Sequence, residues 1–215
     1  MTGAPDGDLR GALGVFGGTF DPIHVAHLAV AEAARDALSL ERVLFIPAGE
    51  PPHKRDRPMT SAADRLAMVE AAIADNPGFA ASRIEIDRAG PSYSAETLAA
   101  LRSGTAQLLA FIVSAEAYAE LPTWHQPERV LELATLVVAP RDGYPQADAA
   151  FLERMLPTSV ARVVFLDGPR MRLSASEIRA RAAARRSLRY LVPDAVAAYI
   201  GDHSLYQDPR RTDRS

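Results

Sequence analysis

The stretch that most constrains the fold lies near the start of the chain, where residues 13–28 read LGVFGGTFDPIHVAHL. Its first four residues are apolar and have the length of a buried strand, and Gly17 and Gly18 follow at once. Because glycine has no side chain, the backbone can turn tightly there. Pro22 lies just ahead of apolar residues at helical spacing, so the stretch predicts a strand, a glycine turn and a helix.

The predicted turn is suited to binding an anion. The first N–H groups of a helix lack partners within the helix, and the helix dipole places partial positive charge at that end. His24 and His27 lie at the same point, so a phosphate bound by two imidazole donors is the favoured interpretation. Two alternatives stay open: a metal site formed by Asp21, His24 and His27, and a pair of polar residues in a surface loop.

The rest of the chain alternates strand-length apolar runs with helical patterns. Strands are predicted at residues 13–16, 42–47, 83–87, 108–113, 136–139 and 163–166. Helices are predicted between and after them, with caps at Thr60 or Ser61, at Ser94 and at Ser174. The alternation predicts an α/β fold, a Rossmann-like doubly wound parallel sheet whose ligand site lies beyond the carboxyl ends of the strands.

Composition narrows the class of protein. The 215 residues suit one domain, predicted to span residues 12–206 with flexible tails at 1–11 and 207–215. The net charge of -3 gives no general attraction to nucleic acid or anionic lipid. The absence of cysteine excludes disulfides, a thiol nucleophile and cysteine-ligated metals. With neither a signal pattern nor a membrane-length apolar run, we expect a soluble, cytoplasmic protein.

A second candidate segment is RLSASEIR, residues 172–179. Ser174 and Glu177 match a capping box, so a helix is predicted to begin here and to present another set of free N–H donors. Ser176 adds a hydroxyl group, and Arg179 adds a guanidinium that suits phosphate oxygens. An ordinary capped helix with a solvated, arginine-rich face is the simpler interpretation.

Two loops carry further candidates. The proline-rich segment at residues 51–54 ends in Lys54, the only lysine of the chain, and the segment LPTWH holds Trp124 and His125. An indole in a loop offers a flat face on which an aromatic ring can stack. Each loop also has a simpler interpretation: a solvated turn around Lys54, and a core or lid position for Trp124.

Together these segments resemble a known family. GGTFDPIHVAH is similar to the signature of nucleotidyltransferases with the HxGH motif, and RLSASEIR resembles their second motif, ISxTxIR. The PPHK loop, the PSYSAETL segment at residues 91–98 and LPTWH resemble segments of bacterial nicotinate-nucleotide adenylyltransferases. The resemblance extends over about residues 15–206, and the five segments come in the family's order.

The resemblance implies an enzyme of NAD biosynthesis with the nucleotidyltransferase fold. It implies transfer of AMP from ATP to nicotinate mononucleotide, giving deamido-NAD and pyrophosphate, with Mg²⁺ held mainly by the ATP phosphates and no metal ligand from the protein. It implies small-molecule substrates as partners, with no nucleic acid or membrane, and leaves a homo-oligomer open. Catalytic roles fall to His24, His27 and Arg179. The residues implied to contact ATP are Gly17, Gly18, Thr19, Phe20, His24, His27, Glu116, Ser174, Ser176 and Arg179. Those implied to contact the acceptor are Lys54, Ser94, Trp124 and His125.

Three positions depart from the family pattern. Ala26 stands for the glycine of HxGH and adds a methyl group where the nucleotide packs closely. The family's Gly-x-Asp after the fourth strand is Ser114-Ala115-Glu116 here, which places a longer carboxylate and a Cβ near the ATP ribose. Ser176 stands for threonine in the second motif, a mild change.

Other functions stay open at this stage. A sister adenylyltransferase could use nicotinamide mononucleotide or phosphopantetheine as the acceptor, although the phosphopantetheine enzymes usually have threonine where this chain has His24. A nucleotide-binding protein without catalysis is a second alternative, suggested by Ala26 and Glu116. A fragment of a class I aminoacyl-tRNA synthetase would have a similar predicted fold, but this chain has no basic module for tRNA.

Overall fold

The structure is a computed structural model, and it describes residues 8–52, 59–144, 148–157 and 162–207. The strands are β1 Leu13–Gly18, β2 Arg42–Pro47, β3 Phe79–Ala81, β4 Leu109–Ser114, β5 Thr135–Ala139 and β6 Val163–Phe165. The helices are α1 Val25–Ala37, α2 Ala62–Ile73, α3 Ser94–Gly104, α4 Ala115–Glu120, α5 Pro127–Leu133, α6 Ala149–Met155, α7 Ala175–Ala183 and α8 Asp194–Asp202, with a 3-10 turn at Leu121–Thr123.

Within the described residues, the six strands form one parallel sheet in the order β3-β2-β1-β4-β5-β6. This order confirms the predicted doubly wound α/β fold. The chain first builds outward from β1 through β2 and β3, then returns to the other side of β1 and continues through β4. The switch point lies between β1 and β4, where such sheets bind ligands at the carboxyl ends of the strands. The carboxyl end of β1 is Gly17-Gly18.

Both faces of the sheet are covered, as a parallel sheet requires. Successive residues of β1 point to opposite faces: Phe16 belongs to one apolar cluster and Val15 to the other. The first cluster packs α1, α2, α7 and α8 against the sheet, and the second packs α3 and α5. Burial of each large apolar side chain contributes about 1.5–3 kcal/mol, so the two clusters hold the strand ends that carry the site.

The third strand is not where the sequence placed it. The alternating segment at residues 83–87 forms one helical turn, in which the Asp87 N–H donates to the Arg83 carbonyl at 2.9 Å. The two side chains form an ion pair at 3.0 Å across the same turn. The strand is instead Phe79–Ala81, paired with β2. The prediction was wrong because alternation over five residues does not separate a strand from a single turn whose two isoleucines are partly buried.

The helix caps agree with the sequence except at α3. The hydroxyl groups of Ser61 and Ser174 accept from the N–H groups of Asp64 and Glu177, as predicted for α2 and α7. Helix α3 has Tyr93 at its N-cap, and Ser94 is its first helical residue, so the cap predicted at Ser94 was wrong. In the described part of the chain, no helix combines the length and apolar composition needed to cross a bilayer.

Candidate active site

The two histidines lie where β1 gives way to α1. His24 is the N-cap of α1, and its ring stacks on that of His27, with 3.6 Å between the centroids and 18° between the planes. The backbone N–H of His24 donates to Nδ1 of His27 at 3.2 Å. Because Nδ1 accepts this bond, the proton of the neutral His27 ring sits on Nε2, which makes Nε2 a donor.

His24 is a neutral donor rather than a cation. It is buried, and its Nδ1 has no hydrogen-bond partner among the residues that the structure describes. Burial, the largest cause, and the positive charge of Arg141 together lower the pKa of His24 to about 4. Such a ring can donate one hydrogen bond to an anion at neutral pH, but it brings no net charge to the site.

Beside the glycine turn, the imidazole of His27 packs against an aromatic ring. Phe20 has φ +49° and is buried, and its ring packs edge-on to the ring of His27 at 5.1 Å. A Cβ added to Gly18 would lie 2.9 Å from the Phe20 ring, so packing requires glycine there. Within the described part of the chain, a Cβ added to Gly17 would meet only Phe111, at 3.8 Å. Gly17 therefore leaves open space at the carboxyl end of the central strand, where a ligand can approach the backbone.

Helix α7 reaches the same loop from the far end of the chain. Nη1 of Arg179 donates to the carbonyl of Asp21 at 2.6 Å, and Nη2 donates to the Ser176 hydroxyl at 3.3 Å. The hydroxyl of Ser174 is engaged in its capping box with Glu177. The structure thus brings the two predicted motifs together, with Arg179 bonded three residues before His24.

The acceptor segments also meet. Tyr93, beside Ser94, stacks on the exposed ring of His125, with 4.2 Å between the centroids. Trp124 is half-buried, and its ring meets Phe111 edge-on at 6.2 Å. Ser92 accepts a bond from the N–H of Gly49, which ties this region to the end of β2. Lys54 lies outside the described residues.

Glu116 is held by two neighbours that follow β5. One carboxylate oxygen accepts from the Tyr144 hydroxyl at 2.7 Å, and the other pairs with Arg141 at 2.9 Å. All three residues are partly exposed. Ribose binding by Glu116 stays a prediction: each carboxylate oxygen has one protein partner and can still accept a further bond from a sugar hydroxyl.

Asp21, which the sequence offered as a metal ligand, is engaged inside the protein. It is buried, and its carboxylate accepts from the Tyr206 hydroxyl at 2.7 Å and from the Thr60 N–H at 3.4 Å. Burial and the neighbouring carboxylate raise the pKa of Tyr206, so its hydroxyl stays protonated as a donor. Among the described residues, no group of three or more acidic or histidine side chains is placed to hold a metal. The stacked imidazoles favour the anion interpretation.

Arg65 is a residue that the sequence reasoning missed. It is completely buried, and it donates to the carbonyl groups of Thr19, Gly49 and Thr60. A signal for it was available, because Arg65 stands three residues before Met68 and seven before Ala72, on the buried side of α2. A charged residue in a buried helical stripe marks either a partner or a functional role.

Comparison with known proteins identifies the family of the chain. The model of the cytidylyltransferase-like family matches residues 15–181. A probable nicotinate-nucleotide adenylyltransferase of Roseiflexus sp. (strain RS-1) is 48% identical over 195 residues, covering 91% of this chain and 98% of the relative. One from Thermus thermophilus is 45% identical over 196 residues, covering 91% and 99%. This chain belongs to the nicotinate-nucleotide adenylyltransferase family.

The solved structures of the family share the fold. The nicotinic acid mononucleotide adenylyltransferase of Plasmodium falciparum, complexed with NaAD, has a TM-score of 0.74 at 15% identity, covering 90% of this chain and 96% of that chain. A nicotinate-nucleotide adenylyltransferase described as putative, from Vibrio parahaemolyticus, has a TM-score of 0.65 at 14% identity, covering 91% and 95%. The family resemblance drawn from the motifs and the predicted fold class are therefore confirmed.

Proposed function

We propose that the protein transfers the adenylyl group of ATP to nicotinate mononucleotide, forming deamido-NAD and pyrophosphate in the cytoplasm. The observation that carries the proposal is the meeting of two distant segments at the carboxyl end of β1: the His24–His27 pair at the start of α1, and Arg179 on α7. The names of the relatives give the acceptor: they are nicotinate-nucleotide adenylyltransferases that align over nearly the whole chain.

The chemistry is a direct exchange at the α-phosphorus of ATP. A phosphate oxygen of the acceptor forms a bond to this phosphorus, and the bond to the bridging oxygen breaks, so pyrophosphate leaves with the electron pair. The attacking oxygen is already ionised at neutral pH, and no general base is needed. The barrier arises from bringing two anions together and from the charge that builds on the leaving group.

The described residues can meet that requirement with donors and one fixed cation. Nε2 of His27 and the neutral ring of His24 supply donors next to the N-terminus of α1, and Arg179 supplies positive charge from α7. Trp124, near the Tyr93–His125 stack, is the aromatic face for the pyridine ring. Binding both substrates in one place would align the reacting atoms.

The family implies Mg²⁺, and the residues fit an ion held mainly by ATP. The carboxylates of Asp21 and Glu116 are both engaged with protein donors, whereas phosphate oxygens are ligands that Mg²⁺ prefers. When bound, the ion neutralises charge on the phosphates. Whether the protein assembles as a homo-oligomer is a separate question, answered by sedimentation of the purified chain.

The decisive experiment is an acceptor panel. Pyrophosphate release from ATP and Mg²⁺ is measured with nicotinate mononucleotide, nicotinamide mononucleotide and phosphopantetheine. We expect the highest kcat/KM with nicotinate mononucleotide. Turnover only with another acceptor would reassign the substrate. ATP binding without turnover on any acceptor would support the non-catalytic alternative, which the substitutions Ala26 and Glu116 in the family motifs favour.

A further inference from the structure

Arg65 is a charged side chain among the apolar side chains of the core. It lies on α2 in the buried stripe with Met68 and Ala72, and it is 0% exposed. It is the only buried arginine among the residues that the structure describes. Burial of a guanidinium is costly unless it is well paired, and burial lowers the pKa of Arg65, while Asp21 is the largest of the influences that oppose this shift. Its retention in the core therefore depends on the groups that pair with it.

The guanidinium is shared among three loops. Nη1 donates to the Thr19 carbonyl at 2.9 Å, Nη2 to the Gly49 carbonyl at 3.2 Å and Nε to the Thr60 carbonyl at 3.1 Å. These carbonyls belong to the turn after β1, the segment after β2 and the residue before the cap of α2. Each nitrogen thus fixes one loop at the carboxyl edge of the sheet.

The bond to Thr19 sets the direction of a backbone donor. A trans peptide is planar, so its carbonyl and the following N–H point in opposite directions. With the Thr19 carbonyl fixed on Arg65, the N–H of Phe20 points away from Arg65, one residue after the glycine pair. At the other end of the same loop, Arg179 holds the carbonyl of Asp21. The 19–24 loop, which ends in His24, is therefore held by hydrogen bonds from arginines on two helices.

We propose that Arg65 is a positioning residue for adenylyl transfer: it holds the 19–24 loop in the shape that binds the phosphates of ATP. It acts through the loop and does not touch substrate itself. This inference rests on the proposed function and deepens it. It assigns to the base of α2 a part in binding that the two sequence motifs do not contain.

The test compares three variants. Arg65→Met fills the same space without charge or donors, and Arg65→Lys keeps the charge on one nitrogen that cannot span three carbonyls. Val69→Ala is the matched control: Val69 is buried on the same helix, and its loss destabilises the core without removing a bond to the loop. For each, ATP affinity is measured by titration calorimetry without acceptor, kcat by pyrophosphate release, and Tm by circular dichroism.

We expect Arg65→Met to raise the Kd for ATP at least about tenfold and to lower kcat about 10²-fold, the scale of a misplaced binding group. Arg65→Lys should recover part of both losses, and Val69→Ala should change Tm while leaving Kd and kcat near wild type. A purely structural Arg65 would move Tm alone. The inference is overturned if folded Arg65→Met matches Val69→Ala in Kd and kcat, or if the wild type does not bind ATP.

Two further outcomes are decided by the same data. Should Arg65→Met fail to fold, Arg65→Lys decides, because wild-type Kd and kcat in that variant would contradict the inference. A wild type that binds ATP but turns over neither pyridine mononucleotide counts against the proposed function, and the ATP affinities of the variants then still decide the role of Arg65.

Discussion

His24 is expected to make the protein less stable in mild acid. It is 5% exposed, and burial, helped by Arg141, lowers its pKa to about 4 from a reference value of 6.5. The unfolded chain takes up this proton near the reference value, so between pH 6.5 and pH 4 the unfolded state binds more protons than the native state. The free energy of unfolding therefore falls as the pH falls through this window.

The size of the effect follows from the gap between the two pKa values. When only the unfolded state is protonated across the whole difference between the two pKa values, the free energy of unfolding falls by about 3 kcal/mol. Between about pH 7 and about pH 5, about 2 kcal/mol of this is lost, because the unfolded imidazole is mostly protonated at the lower pH and the native one is not. Since small domains have only about 5–15 kcal/mol of stability in total, this single ring has a measurable influence.

The assay is urea denaturation of the wild type and of His24→Gln at about pH 7 and about pH 5. Glutamine keeps a polar side chain but does not titrate, so the loss of stability between the two pH values should be about 2 kcal/mol smaller in the variant. His203→Gln, at an exposed position after α8, is the control and should keep the wild-type loss. An equal loss in wild type and His24→Gln would refute a buried, neutral His24.

Three further predictions concern single substitutions. His27→Ala should lower kcat for pyrophosphate release by about 10²–10³-fold, because it removes a donor from charge that develops in the transition state. Trp124→Ala should raise the KM for the pyridine mononucleotide roughly tenfold through lost stacking, with the KM for ATP unchanged. Gly49→Ala should lower the free energy of unfolding by about 1–3 kcal/mol in urea titrations, because its Cβ would overlap the backbone carbonyl of Glu85.

Each of these has a control within the chain. Near-normal kcat in a correctly folded His27→Ala, judged by circular dichroism, would reject its role. Trp124→Phe keeps an aromatic face and should restore most of the affinity, and an equal effect on the KM for ATP would place the indole elsewhere. Gly104→Ala is the comparison for Gly49, because no atom of the described residues lies within 4 Å of a Cβ at Gly104. Equal stability of the two glycine variants would contradict the overlap.

The sequence predicted the features that depend on local patterns. The glycine turn after β1, the capping box of Ser174 and five of the six strands follow from residue spacing alone. The third strand was missed because Phe79–Ala81 is only three residues long, while Arg83–Asp87 imitates a strand. The family motifs then indicated that the segments GGTFDPIHVAH and RLSASEIR would meet, although these two segments lie far apart in sequence.

What sequence could not supply was the network that shapes the site. The bonds from Arg65 to Thr19, from Tyr206 to Asp21 and from Arg141 to Glu116 join residues far apart in the chain. No local pattern encodes such partners, because they depend on how the helices dock. The neutral state of His24 is likewise a product of burial, which the spacing of His24 and His27 does not indicate.

The Tyr206–Asp21 bond has a consequence for how the protein is made. Its two partners are 185 residues apart, so during synthesis the segment that carries the imidazoles leaves the ribosome long before the tyrosine that seals it. Strand β1 and helix α1 can form early, but the loop is complete only after Tyr206 has been made. A ribosome stalled at helix α8 would therefore hold a chain with most of its sheet and an unfinished loop at residues 19–24.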